Sequence, residues 1–135
     1  GQVIYLDTSV ALLSLLGQSG ADEAARLILD ARATEGLVSS CLLQVEMARA
    51  AHREHFDVGV VDEFIAGVEL IEIGPDVIER ASALTGEFNS LGAIHLATAT
   101  LLDDPRHPVT VLTHDARLAD AARSRGVGVT DPLGS

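Results

Sequence analysis

Apolar residues fall along this chain in two kinds of run: short blocks rich in β-branched side chains, and longer stretches whose apolar positions recur with helical spacing. Val3-Ile4-Tyr5-Leu6 reads as a strand buried on both faces of a parallel sheet. It runs into Asp7, then into the hydroxyl pair Thr8 and Ser9, which suit a helix start, and then into an apolar helix through residue 16. Gly17-Gln18-Ser19-Gly20 interrupts the pattern. Residues 21–34 predict a second helix, with Ser19 as cap, Gly36 as stop and Leu27, Ile28 and Ala31 facing inward. Leu37-Val38-Ser39 is a second strand, and Ser39 and Ser40 cap a third helix over 41–53. A fourth helix spans 57–67, with Val61, Phe64, Ile65 and Val68 inward. Residues 68–73 alternate as a third strand, ended by Gly74-Pro75, where Pro75 opens a fifth helix reaching residue 87. Asn89-Ser90 caps a sixth helix over 91–102, and 109–112 is a fourth strand. A last helix covers 115–125, Gly126 stops it, and Val127-Gly128-Val129 is a short edge strand. Strands alternate with helices throughout, which predicts a single α/β domain over 1–135: a three-layer α/β/α sandwich around a mostly parallel sheet.

Composition narrows the classes. A 135-residue chain with 47% hydrophobic residues suits one globular core rather than a disordered segment. No apolar run is long enough to span a bilayer, and Cys41 is the lone cysteine, so no internal disulfide framework exists. A cytoplasmic protein with no membrane partner is expected, with Cys41 as a small packed thiol rather than a nucleophile. Formal net charge is −11, from 20 acids against 9 bases, and every base is arginine. Such a balance argues against a basic nucleic-acid-binding surface, although a local cation can alter that. The absent lysine excludes two folds that also place aspartate after a first strand. Response-regulator receivers and haloacid-dehalogenase-like phosphatases both require a lysine, and the latter also require an aspartate where Ser9 stands.

Three acids fall where strand ends and the helices after them can converge: Asp7 after the first strand, Glu46 on the helix after the second, and Asp115 after the fourth. Open α/β sheets place ligands at this edge. Hard divalent cations take carboxylate oxygens, and two such ions ~3.5–4 Å apart can activate water and stabilise the leaving oxygen of a phosphodiester. Each acid also has a plain structural alternative. Asp7 can belong to a turn, Glu46 can pair with Arg49 or Arg53 along its helix, and Asp115 can be an N-cap.

Four blocks decide between these readings. Ile4-Tyr5-Leu6-Asp7-Thr8-Ser9, Ser39-Ser40-Cys41-Leu42-Leu43-Gln44-Val45-Glu46, Ala93-Ile94-His95-Leu96-Ala97-Thr98-Ala99 and Leu112-Thr113-His114-Asp115 stand in this order over nearly the whole chain. Together they resemble the motif blocks of PIN-domain nucleases, most of all the VapC toxins of bacterial toxin–antitoxin pairs. The resemblance implies a Mg²⁺- or Mn²⁺-dependent ribonuclease acting on an RNA substrate, with Asp7, Glu46 and Asp115 as metal-holding catalytic residues. It also implies a homodimer and a cognate VapB-type antitoxin that inserts into the acidic groove.

One position departs from the family pattern, in which an aspartate directly precedes Ala93; here Gly92 stands. Glycine is unfavourable inside a helix, while an acid in the first turn suits the macrodipole, so local structure does not ask for it. Gly92 therefore marks a missing catalytic acid and a weakened or inactive enzyme. The alternatives are a glycine needed for close backbone approach, and a scaffold that has lost catalysis and only binds antitoxin or RNA. Thr8, Ser9 and Thr113 are secondary candidates for orienting the acids, and His95 is expected to be packed and hydrogen-bonded. His52, His55, His107 and His114 show no metal-ligand spacing. Arg117, Arg123 and Arg125 are candidates for phosphate contact or simple complements of a helix dipole. Val10, Leu12, Leu13, Leu15 and Leu16 exceed what one helix face buries, which predicts a dimer surface there.

Overall fold

A computed structural model describes residues 2–86 and 88–134, without the side chain of residue 35. The described residues form five strands and seven α-helices in the order β1 (Val3–Leu6), α1 (Thr8–Leu16), α2 (Ala21–Asp30), β2 (Leu37–Ser40), α3 (Leu42–Glu54), α4 (Val58–Ile65), β3 (Glu69–Ile71), α5 (Pro75–Ala83), α6 (Ser90–Leu102), β4 (Val109–Leu112), α7 (Ala116–Ser124) and β5 (Gly128–Thr130). All four strand pairings are parallel and the order is β3-β2-β1-β4-β5. The expected α/β sandwich is therefore present.

Period-two alternation in β1 splits the core. Leu6 joins Val10, Leu13, Ile28, Leu43 and Met47 in one cluster, whereas Tyr5 joins Leu96, Val111, Leu118 and Ala122 in another. The first cluster packs α1 to α4 on one face of the sheet, and the second packs α6 and α7 on the other. The chain grows outward from β1 through β2 to β3, then crosses back to place β4 on the other side of β1. That reversal makes the carboxyl ends of β1 and β4 the topological switch point, the crevice where ligands bind in open α/β sheets.

Several boundaries differ from the sequence reading. The last turn expected of α2 is instead a π-helical turn, Ala31–Glu35, closed by Gly36 at φ 90°. Gly20, not Ser19, occupies the α2 N-cap with a left-handed backbone and no side-chain cap bond. A side chain at Gly20 would also collide with Leu133. The third strand is short, and α5 ends at Ala83; the expected end at Glu87 lies outside the described residues. The apolar surplus of α1 is smaller than expected. Val10 and Leu13 are core residues, Leu12, Leu15 and Leu16 are partly covered, and α1 packs between α2 and α3. A short helix held between two others buries more than one of its faces, so the expectation that Val10 and Leu13 belong to a dimer surface is corrected. Among the described residues, no helix is long and apolar enough to cross a membrane.

Candidate active site

Asp7 follows β1 at the switch point and is the α1 N-cap, with φ −83° and ψ 147°. The helix-start role expected of Thr8 and Ser9 thus falls to the acid, which frees both hydroxyls. Asp7 is 6% exposed. Its Oδ2 accepts from Ser9 Oγ at 2.6 Å and from Thr113 Oγ1 at 2.9 Å, with a longer bond from Ser9 N at 3.4 Å. Oδ1 lies 3.8 Å from His95 Nε2. One carboxylate oxygen is thereby held by donors, and the other is turned toward His95.

Glu46 meets the same imidazole from α3. Its Oε1 accepts from Thr8 Oγ1 at 2.6 Å and from His95 Nε2 at 2.7 Å. Pairing with Arg49 or Arg53 does not occur; Arg53 instead stands 3.8 Å from Glu54. Burial raises the Glu46 carboxyl, yet the hydrogen bonds from His95 and Thr8 outweigh it and hold it below the ordinary glutamate value. His95, 2% exposed, is packed and bonded through both ring nitrogens, since Nδ1 lies 2.7 Å from Tyr5 Oη. The Tyr5 phenol also accepts from Ser40 N at 3.1 Å, and burial pushes its ionisation upward, so it remains a hydroxyl. Sequence reasoning treated Tyr5 only as a strand aromatic. Its alternation with Leu6 points it toward α6, but the partner ninety positions later is visible only in the fold.

Asp115 joins this pair by a different route. Its carboxylate caps α7, with Oδ1 accepting from Arg117 N at 3.0 Å and Leu118 N at 3.2 Å. Its backbone N–H donates to Thr113 Oγ1 at 3.0 Å, the hydroxyl that donates to Asp7. Ser9 Oγ similarly accepts from His114 N at 2.9 Å. The turn after β4 is therefore stitched to the turn after β1 through two hydroxyls. His114 itself pairs with Asp131 at 3.0 Å.

Gly92 lies in the first turn of α6, where its N–H donates to the Asn89 cap at 2.8 Å. A Cβ there would meet Asn89 Oδ1 and Phe88 Cβ at 3.4 Å, ordinary contact, so no close backbone approach demands glycine. Position 92 precedes His95 by one helical turn and shares its face of α6. A side chain is tolerated at this position as far as its Cβ, and no acid stands there. Arg125 is bound to the Ala121 and Thr85 carbonyls at the far end of α7, and Cys41 is half-buried at the start of α3.

The donor set fits a hard cation in one specific sense. Mg²⁺ is commonly held by one or two carboxylates, with water and phosphate oxygens completing the shell. Asp7 Oδ1 and Glu46 Oε2 are the oxygens outside the hydrogen bonds described here. Among the described residues no group of three or more His, Cys, Asp or Glu side chains is arranged to hold a metal ion. The structure thus offers a carboxylate pair, with Asp115 tied to it through Thr113.

A parallel sheet in this strand order, with acids gathered at its switch point, defines the class, and comparison with known proteins agrees. The PIN domain family model matches residues 4–124, and the chain belongs to that family, in its VapC-type branch. It is 31% identical to Ribonuclease VapC35 of Mycobacterium tuberculosis over 132 residues, covering 96% of this chain and 97% of that protein. It is 33% identical to Ribonuclease VapC46 of the same organism over 133 residues, with the same coverage. Among solved structures, a toxin–antitoxin complex from Klebsiella pneumoniae shares the fold with a TM-score of 0.71 at 21% identity, covering 98% of this chain and 99% of that one. VapBC2 from Rickettsia felis, bound to a DNA fragment from its promoter, shares it at 0.61 and 11% identity, covering 96% and 98%.

Proposed function

We propose that this chain is a Mg²⁺- or Mn²⁺-dependent endoribonuclease toxin, neutralised by a cognate antitoxin, whose cation is held by Asp7 and Glu46 with Asp115 as the third acid of the site. The observation that carries this reading is the pairing of Asp7 and Glu46 around His95 at the switch point, each with one oxygen immobilised by donors and one left over. Two acids brought this close repel one another unless a cation or proton offsets them. A bound divalent cation would supply Lewis-acid activation of water and neutralise phosphate charge. Ser9 and Thr113 hold Asp7 Oδ2, Thr8 and His95 hold Glu46 Oε1, and the acids therefore meet a cation without first reorganising. Full-length similarity to proteins named ribonucleases supports RNA as the substrate, and the fold shared with toxin–antitoxin complexes supports an antitoxin partner. A net charge of −11 disfavours RNA on the bare protein, which makes cation loading a condition of substrate approach. A homodimer is retained as part of the reading, although Val10 and Leu13 of α1 are spent on the core.

A mixed RNA pool incubated with Mn²⁺, or with EDTA, tests this. Cleavage with Mn²⁺ that disappears in EDTA and in Glu46→Gln is the expected result. Cleavage that persists in EDTA overturns the cation reading. Glycine in place of an acid at position 92 favours one second reading, a PIN scaffold that binds antitoxin or RNA without cutting it; Mn²⁺ binding with no cleavage would identify that case.

A further inference from the structure

Arg117, Arg123 and Arg125 stand close in sequence, and the fold gives them three different surroundings. Arg123 lies in the last turn of α7, where a cation suits the helix dipole, 3.8 Å from Asp120. Arg125 is spent on structure: its guanidinium donates to the carbonyls of Ala121 at 2.8 Å and Thr85 at 3.2 Å, which ties the loop before α6 to the end of α7. Arg117 is exposed in the first turn of α7, where a cation opposes the dipole, and among the described residues no acceptor holds its guanidinium. Neither helix formation nor an ion pair accounts for this arginine.

Between that loop and α7 lies a cavity of about 280 Å³, lined by Thr85, Phe88, Arg117, Asp120, Ser124 and Arg125 among others. The Arg125 bonds close its far end. Its near end borders the acids on two sides. Arg117 donates its backbone N–H to the Asp115 carboxylate, and Phe88 stands 3.4 Å from where a Cβ at Gly92 would lie. Phe88 packs on the second core cluster, so its ring is anchored beside the cavity, whereas Phe56 and Phe64 pack on the first cluster, across the sheet, and Tyr5 is fully buried. Asp120 is largely exposed and faces Arg123. An anchored aromatic ring beside an unpaired arginine offers what single-stranded nucleic acid takes, a platform for a base and a cation for its phosphate. The volume stands at the low end of small-ligand pockets, which suits one nucleoside unit rather than a run of them.

We propose that this cavity is a nucleotide subsite, in which Phe88 stacks the base of a nucleotide flanking the cleaved phosphodiester and Arg117 binds that nucleotide's phosphate. The proposal rests on the RNA reading above and adds the direction of the strand, from the acids along α7 towards Arg125. Stacking uses the π-face that every base has, so the subsite holds a base without choosing among them. Arg117 supplies a local positive charge in a chain whose net charge is −11.

Binding of a short, mixed-sequence single-stranded RNA to the full chain tests this, read by fluorescence anisotropy over a range of NaCl in Ca²⁺, with strand integrity checked on gels. Arg117→Gln should weaken binding about fivefold and make the slope of log affinity against log salt shallower by about 0.7, the share of one phosphate contact on a single strand. Phe88→Leu should weaken binding about tenfold and leave the slope unchanged, because stacking releases no counterions. Arg106→Gln makes the same charge change in the loop that enters β4, at the sheet edge opposite the acids, and should alter neither affinity nor slope. An equal slope change in Arg106→Gln would reduce Arg117 to net charge and overturn the proposal. Unaltered affinity in Arg117→Gln would also overturn it, and would leave the cavity to a peptide partner. Arg117 is exposed, so its variant decides even if Phe88→Leu does not fold. RNA cleavage in Mn²⁺ is followed in parallel. The binding signatures without cleavage uphold the subsite and sink the nuclease reading; cleavage without the signatures does the reverse.

Discussion

Thr113 Oγ1 donates to Asp7 Oδ2 at 2.9 Å and accepts the Asp115 backbone N–H at 3.0 Å, so one hydroxyl joins the first and last acids of the site. The link crosses the switch point, where Leu6 pairs with Leu112 in parallel register and both strands turn into their helices. Without it, Asp7 would keep Ser9 alone as its hydroxyl donor, and the Asp115 N–H would lose its partner.

Thr113→Val keeps the shape and deletes the hydroxyl. We expect a loss of about 1–3 kcal/mol in urea unfolding, from the groups left unpaired, and RNA cleavage lowered about tenfold. Ser9→Ala removes the other donor to the same oxygen, so the two changes should combine non-additively. Simple additivity in both readouts would mean that the hydroxyls act independently.

Gly92→Asp places an acid in the first turn of α6, with a Cβ in ordinary contact with Asn89 and Phe88. The helix dipole favours it there by about 0.3–1 kcal/mol. Mn²⁺ should bind more tightly and RNA should be cut faster than by the unaltered chain, and expression without antitoxin should become harder. Equal affinity and equal cleavage would remove position 92 from the site.

Glu46 should leave a signature in the pH dependence of stability. Its carboxyl is held below the ordinary glutamate value of 4.5 in the folded protein. A depressed folded value means stability present above the unfolded value and lost as pH falls through the folded one. Measured in EDTA, the unfolding free energy of the unaltered chain relative to Glu46→Gln should be flat from pH 7 to about 5 and shrink below about 4.5. A difference that grows on acidification would show that burial, not hydrogen bonding, dominates at Glu46.

Asp7→Asn preserves the N-cap of α1, since asparagine caps as well as aspartate. A cation that binds only the folded chain stabilises it by about 2.7 kcal/mol at a hundredfold excess over Kd. Thermal unfolding with and without Mn²⁺ should show a rise in Tm for the unaltered chain and little or none for Asp7→Asn. An equal rise in both would place the cation elsewhere.

The α/β class, the strand sequence and the order of the acids were legible in the chain alone, because period-two and helical spacing are local consequences of backbone geometry. The motif blocks fixed which acids to watch, and Asn89 was recognisable as a cap because capping too is local. Other features depended on distant partners. The π-turn after α2 closes against Gly36 in place of a regular last turn, and the aliphatic run of α1 disappears between α2 and α3. No sequence window holds Tyr5, Glu46 and His95 together; parallel crossovers bring Tyr5 and Glu46 to the two nitrogens of one ring. Residue spacing could nominate Asp7, Glu46 and Asp115, but the direction of each carboxylate is set by donors from other segments. Those donors pair buried Asp7 and partly buried Glu46 around one imidazole, whereas exposed Asp115 caps its own helix through the free N–H groups of the first turn.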